Sequence, residues 1–169
     1  MDRLYTASRR RVLCGTAVAL GFGSLARTAL AFDEKSKADI NVDAKGVALR
    51  GFDPVSYQTA AKPVMGAPSF TATHDGATYQ FASAASRDAF KADPARYAPA
   101  YGGFCAMGVA MGRKLDGDPS LYRVVDNRLY LNVNSAVQTR WVQDIPGNVK
   151  AAQAKWPSLA GKTPQETNN

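Results

Sequence analysis

Apolar and polar positions alternate along two pairs of short stretches in this chain. Ser69 to His74 and Ala77 to Ala82 read as β-strands, because successive strand side chains face opposite sides. Asp75-Gly76 lies between them and predicts a two-residue hairpin turn. Leu121 to Val125 and Arg128 to Val133 form a second such pair around Asp126-Asn127. After each pair the period changes to that of a helix. Ser83 predicts an N-cap, with Ala85, Ala89 and Phe90 at helical spacing and Pro94 as the stop. Pro94 to Tyr97 predicts a second, short helical turn. Asn134 predicts the cap of a helix whose buried face holds Val137, Trp141 and Ile145. Pro146 suits the first turn of a final helix carrying Val149, Ala152 and Trp156, which Pro157 ends. These elements predict a single-domain α+β fold, with small antiparallel hairpins packed against short helices and helices at the C-terminus. The two hairpin–helix units are alike in outline, but the residues show no internal repeat.

The flanking regions read differently. Ser8, Arg9, Arg10 and Arg11 precede Val12 and Leu13, and an apolar stretch runs on to Ala26. Ala29 and Ala31 then supply the small residues of a cleavage site. The SRRRVL run resembles a twin-arginine export signal. The apolar stretch is shorter than the ~20 residues that span a bilayer. We therefore expect a signal peptide at residues 1–31, cleavage after Ala31, and a periplasmic protein with no stable membrane insertion after cleavage. Residues 32–45 are polar and predict a linker that leads into a strand or turn. Residues 46–157 form the domain, and residues 158–169 are expected to be a disordered tail. Gly21, Gly23 and Ala26 match a dinucleotide fingerprint, but they lie in the apolar core of the signal with no strand–turn–helix unit around them.

Charge and cysteine content change once the signal is removed. The chain of 169 residues has 21 basic and 14 acidic residues. Arg3, Arg9, Arg10, Arg11, Arg27 and Asp2 leave with the signal, so the mature part carries 16 basic and 13 acidic residues, a net of +3. That balance gives no nucleic-acid signature. Cys14 also leaves, and Cys105 becomes the one cysteine, so no internal disulfide can form. Cys105 lies in YGGFCAMGVAMG, Tyr101 to Gly112, whose four glycines argue against a regular helix.

The motif residues resemble a known family. Asp53-Pro54-Val55, Tyr79-x-Phe81-x-Ser83 and Phe90-x-x-Asp93-Pro94-x-x-Tyr97 are similar to the YHS domain, in particular to exported single-domain YHS proteins. The likeness extends through YGGFCA at Tyr101 to Ala106, LYLN at Leu129 to Asn132, and Trp156-Pro157. The resemblance implies metal handling, with copper or another soft metal as the cargo. Metal-associated members carry DPVCG and FCSxxC. Here Ser56, Ala82 and Ser86 stand at the three cysteine positions. A hydroxyl is a poor ligand for a soft metal and a methyl group is none.

Any metal site must then use other residues. The candidates are Cys105, His74 (the single histidine), Met107 and Met111. In an extended segment Cys105, Met107 and Met111 would point to one side; in a helix Met107 and Met111 alone would share a face. A thiolate, an imidazole and thioethers suit Cu(I). The expected function is soft-metal binding, without catalysis. The alternative is a metal-free module that recognises a small ligand or a protein partner. A Cys105–His74 nucleophile oriented by Asp75 or Asp53 is a third reading. The packed alternative is an ordinary one: cysteine is among the most buried residue types, and methionine commonly fills core gaps.

Overall fold

The computed structural model describes residues 32–169. The expected signal peptide and its cleavage site at Ala31 lie outside the described residues. The α+β class is observed: two antiparallel hairpins, each followed by helices. Strand β1 (Ala67–His74) pairs with β2 (Ala77–Phe81), and β3 (Asp118–Val125) pairs with β4 (Arg128–Asn132). The helices are α1 (Ser56–Thr59), α2 (Ala84–Ala92), α3 (Pro94–Tyr97), α4 (Ala106–Ala110), α5 (Ser135–Gln143), α6 (Ile145–Leu159) and α7 (Pro164–Asn168). No helix among the described residues is long and apolar enough to cross a membrane.

Local chemistry sets the boundaries. Asp75 and Gly76 both take positive φ between β1 and β2, as do Asp126 and Asn127 between β3 and β4. The expected caps form. Ser83 accepts a bond from the Ser86 N–H, and Asn134 accepts one from the Val137 N–H, each satisfying a donor that the first helical turn leaves open. Phe90 projects from α2 against Tyr79 and Phe81, and all three are fully buried. Trp141 projects from α5 against Tyr130. Each such aromatic contributes roughly 1.5–3 kcal/mol by burial, so these two clusters anchor the helices to the hairpins.

The structure also contains a repeat that the residues do not display. Every element of the second hairpin–helix unit begins and ends 51 positions after its counterpart: Ala67 and Asp118, Phe81 and Asn132, Ala84 and Ser135. The strand register slips at matching places, between Ala67 and Thr71 and between Asp118 and Tyr122. Asp93 and Asp144 cap the following helices with nearly the same backbone angles, φ −147° and −148° with ψ 74° in both. The equivalence continues upstream with one residue inserted. Phe52 bridges Met65 and Phe104 bridges Asp116. Asp53 N–H bonds the Val64 carbonyl, and Cys105 N–H bonds the Leu115 carbonyl. Cys105 is therefore the structural counterpart of Asp53.

Four expectations are corrected. Residues 32–45 are not a free linker: Phe32 bridges Asp43, Val42 bridges Ala48, and Ile40 and Val42 are buried. Tyr101 to Gly112 contains a helix after all. Cys105 caps α4, and only Gly108 of the four glycines lies inside it, the others taking positive φ outside. Pro157 does not end α6, which runs on to Leu159, buried against Phe104 and Val109. The tail is ordered. Thr163 and Glu166 form a reciprocal capping box that starts α7, and Thr163 and Pro164 are buried. Lys114 holds this tail in place. Its side chain is fully buried, and its ammonium donates to the Lys162 carbonyl at 2.8 Å and to Asp39 at 3.0 Å.

Candidate functional site

The structure places the four candidate metal ligands in different surroundings. Cys105 is fully buried at the start of α4. Its Sγ accepts the Gly108 N–H at 3.4 Å and lies 3.8 Å from Asn132 Oδ1. Burial pushes the thiol pKa up, while N–H groups of Gly108, Val133 and Met107 oppose the rise. Met107 is half-buried and packs on the cluster of Ala100, Ala106, Tyr130 and Trp141. Met111, one turn further along the chain, is 67% exposed. His74 packs edge-on to Phe90 at 5.7 Å, with Nε2 3.3 Å from Asp75. Among the described residues no group of three or more His, Cys, Asp or Glu side chains is placed to hold a metal ion. Among the described residues no hydrogen bond joins His74 to Cys105: the sulfur has Gly108 and Asn132 beside it, and the His74 ring has Asp75. The thiolate is the reactive form of cysteine, and a raised pKa in a closed setting suppresses it. In the folded protein Cys105 is expected to resist iodoacetamide at mildly alkaline pH. In urea it should label fully, as read by mass spectrometry of its peptide. Equal labelling in both states would contradict the burial.

The positions that the resemblance gives to cysteine ligands do converge, on Asp53. The Asp53 side chain is 1% exposed. Its Oδ1 accepts the Val55 N–H at 2.8 Å, and its Oδ2 accepts the Ala82 N–H at 3.1 Å and the Ser86 hydroxyl. Ser56 Oγ donates to the Asp53 carbonyl at 2.7 Å and accepts the Val64 N–H at 3.0 Å. A carboxylate and two hydroxyls thus close this point with hydrogen bonds. Ser56 and Ser86 act there as structural donors and acceptors.

The second unit repeats the arrangement with sulfur. Cys105 takes the place of Asp53, and Val133 supplies the N–H that Ala82 supplies in the first unit. The buried Asn132 amide lies beside the sulfur, and its Nδ2 has no partner among the described residues. The thiol is a helix cap within a closed cradle, which a lone cysteine in the sequence does not reveal.

An open cleft lies elsewhere, between the first hairpin, the Ala100–Gly103 turn and α6. It has a volume of about 560 Å³ and is lined by His74, Asp75, Asp39, Tyr101, Arg128 and Trp156, among others. Small-molecule sites commonly measure roughly 300–1,000 Å³. A second cavity, beside Asn41 and Gly103, has about 10 Å³, room for no more than one water. Tyr101 and Trp156 form an aromatic wall with ring centroids 5.8 Å apart. The Tyr101 hydroxyl donates to the Val149 carbonyl at 3.4 Å, and partial burial pushes its pKa up to about 12, so the phenol stays protonated. Gly102 has φ +62°, and a Cβ there would overlap the Asp39 carbonyl, so the chain can pass the cleft floor only as glycine.

His74 is the only one of the four sequence candidates that lines this cleft. Arg128, Asp39 and Tyr101 were not proposed as site residues from sequence. In the sequence Trp156 stands out only as a residue of the final helix and of the Trp156-Pro157 pair, and Tyr101 only as the start of YGGFCA. Their convergence depends on how α6 crosses the Ala100–Gly103 turn. Comparisons with protein-family models, curated proteins and solved structures found no match to this chain.

Proposed function

We propose that this chain is an exported, metal-independent binding module with a YHS-like motif set, and that it holds a small ligand in the cleft lined by His74, Tyr101, Arg128 and Trp156. The observation that carries the reading is the contrast between the two candidate places. The cleft is open and combines aromatic faces with charged groups. The thiol is sealed, and the positions of the family's cysteines are occupied by the Asp53 hydrogen-bond network. A mostly pre-formed concave site with a few polar groups is the usual form of a ligand pocket. Export delivers such a module to the periplasm, where it would act by binding rather than by catalysis. The net charge of +3 on the mature part gives it no reason to seek nucleic acid.

The test is an NMR titration of the mature chain with three small aromatic probes: benzoate, benzylamine and benzyl alcohol. At least one is expected to shift the amides of Tyr101 and Gly102 and the Trp156 indole at millimolar concentration. No shift at these positions from any probe would reject the cleft as the site. Tight one-to-one Cu(I) binding weakened by both Cys105→Ser and His74→Ala would reject metal independence.

A further inference from the structure

The charges lining the cleft are unequally committed. Asp39 accepts from the Lys114 ammonium at 3.0 Å and from the Gly161 N–H at 2.8 Å. Asp75 faces His74 Nε2 at 3.3 Å. Among the described residues Arg128 makes no ion pair and no side-chain hydrogen bond, and it is exposed at the cleft edge. Burial raises the Tyr101 and Tyr130 pKa values, and the Arg128 charge opposes the rise at both. One oxygen of Asp39 therefore has two donors and Asp75 has the His74 ring beside it, whereas the guanidinium of Arg128 keeps an open fork of N–H donors.

We infer that the ligand of this cleft is a small planar anion, a carboxylate on an aromatic or heteroaromatic ring. Arg128 receives the carboxylate and the ring lies against Tyr101 and Trp156. The inference rests on the cleft reading above and adds the ligand class. A guanidinium presents two parallel N–H groups that match a carboxylate, and charge-assisted bonds of this kind are about twice as strong as neutral ones. The two rings are tilted 55° to each other, so a planar ligand stacks on one and meets the edge of the other, at no cost of ordering long side chains. A cationic ligand would meet the unpaired charge of Arg128 and share Asp39 with Lys114 and Asp75 with His74. A neutral one would leave the guanidinium without an anion.

The same three probes, titrated into the mature chain and its Arg128→Gln variant, test the class. Benzoate is expected to bind more tightly than benzylamine or benzyl alcohol. Arg128→Gln should weaken benzoate by roughly tenfold or more, the loss expected for one charge-assisted contact. The same change should weaken benzyl alcohol far less than benzoate. Arg128 flanks the Asp126-Asn127 turn and is exposed, so the variant keeps the fold. Benzylamine or benzyl alcohol binding as well as benzoate would overturn the anion inference while the cleft reading stands. So would benzoate affinity indifferent to Arg128→Gln. No shift from any probe would reject the cleft reading itself.

Discussion

Asp53→Ala is expected to lower stability by about 3 kcal/mol or more, measured by urea unfolding. The loss follows from what the carboxylate holds. Removing it strips the acceptor from the Val55 N–H, the Ala82 N–H and the Ser86 hydroxyl. Each buried donor left open costs roughly 1–3 kcal/mol. Val55 is buried, whereas Ala82 is exposed and Ser86 half-buried, so water recovers part of the cost at the last two. Cys105→Ala provides the internal comparison. Cys105 occupies the counterpart position, but sulfur is a weak acceptor, and its main contact is the cap on the Gly108 N–H. Losing a cap typically costs about 1 kcal/mol. A Cys105→Ala loss as large as that of Asp53→Ala would mean that the thiol has a role beyond capping.

Lys114→Ala carries the second large effect, about 2–5 kcal/mol, because it truncates a fully buried long side chain and leaves the Lys162 carbonyl without its donor. The ammonium is enclosed between the rings of Phe104 at 5.2 Å and Trp156 at 5.4 Å. It is also the hydrogen-bond donor to the Lys162 carbonyl. Asp39 is about half exposed and keeps the Gly161 N–H, so its own penalty is reduced. Lys114→Met retains the aliphatic packing and should lose less than Lys114→Ala. Both should release the C-terminal segment first. Hydrogen exchange is expected to accelerate at Gln165, whose N–H bonds the Glu34 carbonyl, before it accelerates in β2 or β4. Unchanged exchange at Gln165 would show that the tail is held by other contacts.

Much of the local structure was legible because it is set by short-range chemistry. Asp75-Gly76 and Asp126-Asn127 permit the positive φ of tight turns, and Ser83, Asn134, Pro94 and Pro146 mark helix starts. Long-range contacts were not legible. The repeated unit is hidden because few counterparts share a residue type. Pro68 and Pro119, Ser69 and Ser120, Asp75 and Asp126, Tyr79 and Tyr130, Ala85 and Ala136, and Asp93 and Asp144 agree, but Asn132 stands in the place of Phe81, and Trp141 in that of Phe90. The polar composition of the last residues suggested disorder. It could not convey that a lysine 48 residues upstream of Lys162 would bond its carbonyl. Cys105 and His74 were grouped by chemical type, whereas the chain puts the first in a sealed cap and the second on a cleft wall.

The central claim is that a planar anion occupies the cleft between Arg128 and the aromatic wall. The most direct measurement is a set of intermolecular nuclear Overhauser effects between benzoate ring protons and the mature chain. Cross-peaks to the rings of Tyr101 and Trp156 are expected. Cross-peaks confined to residues outside the cleft, or none under conditions where benzoate is bound, would contradict it.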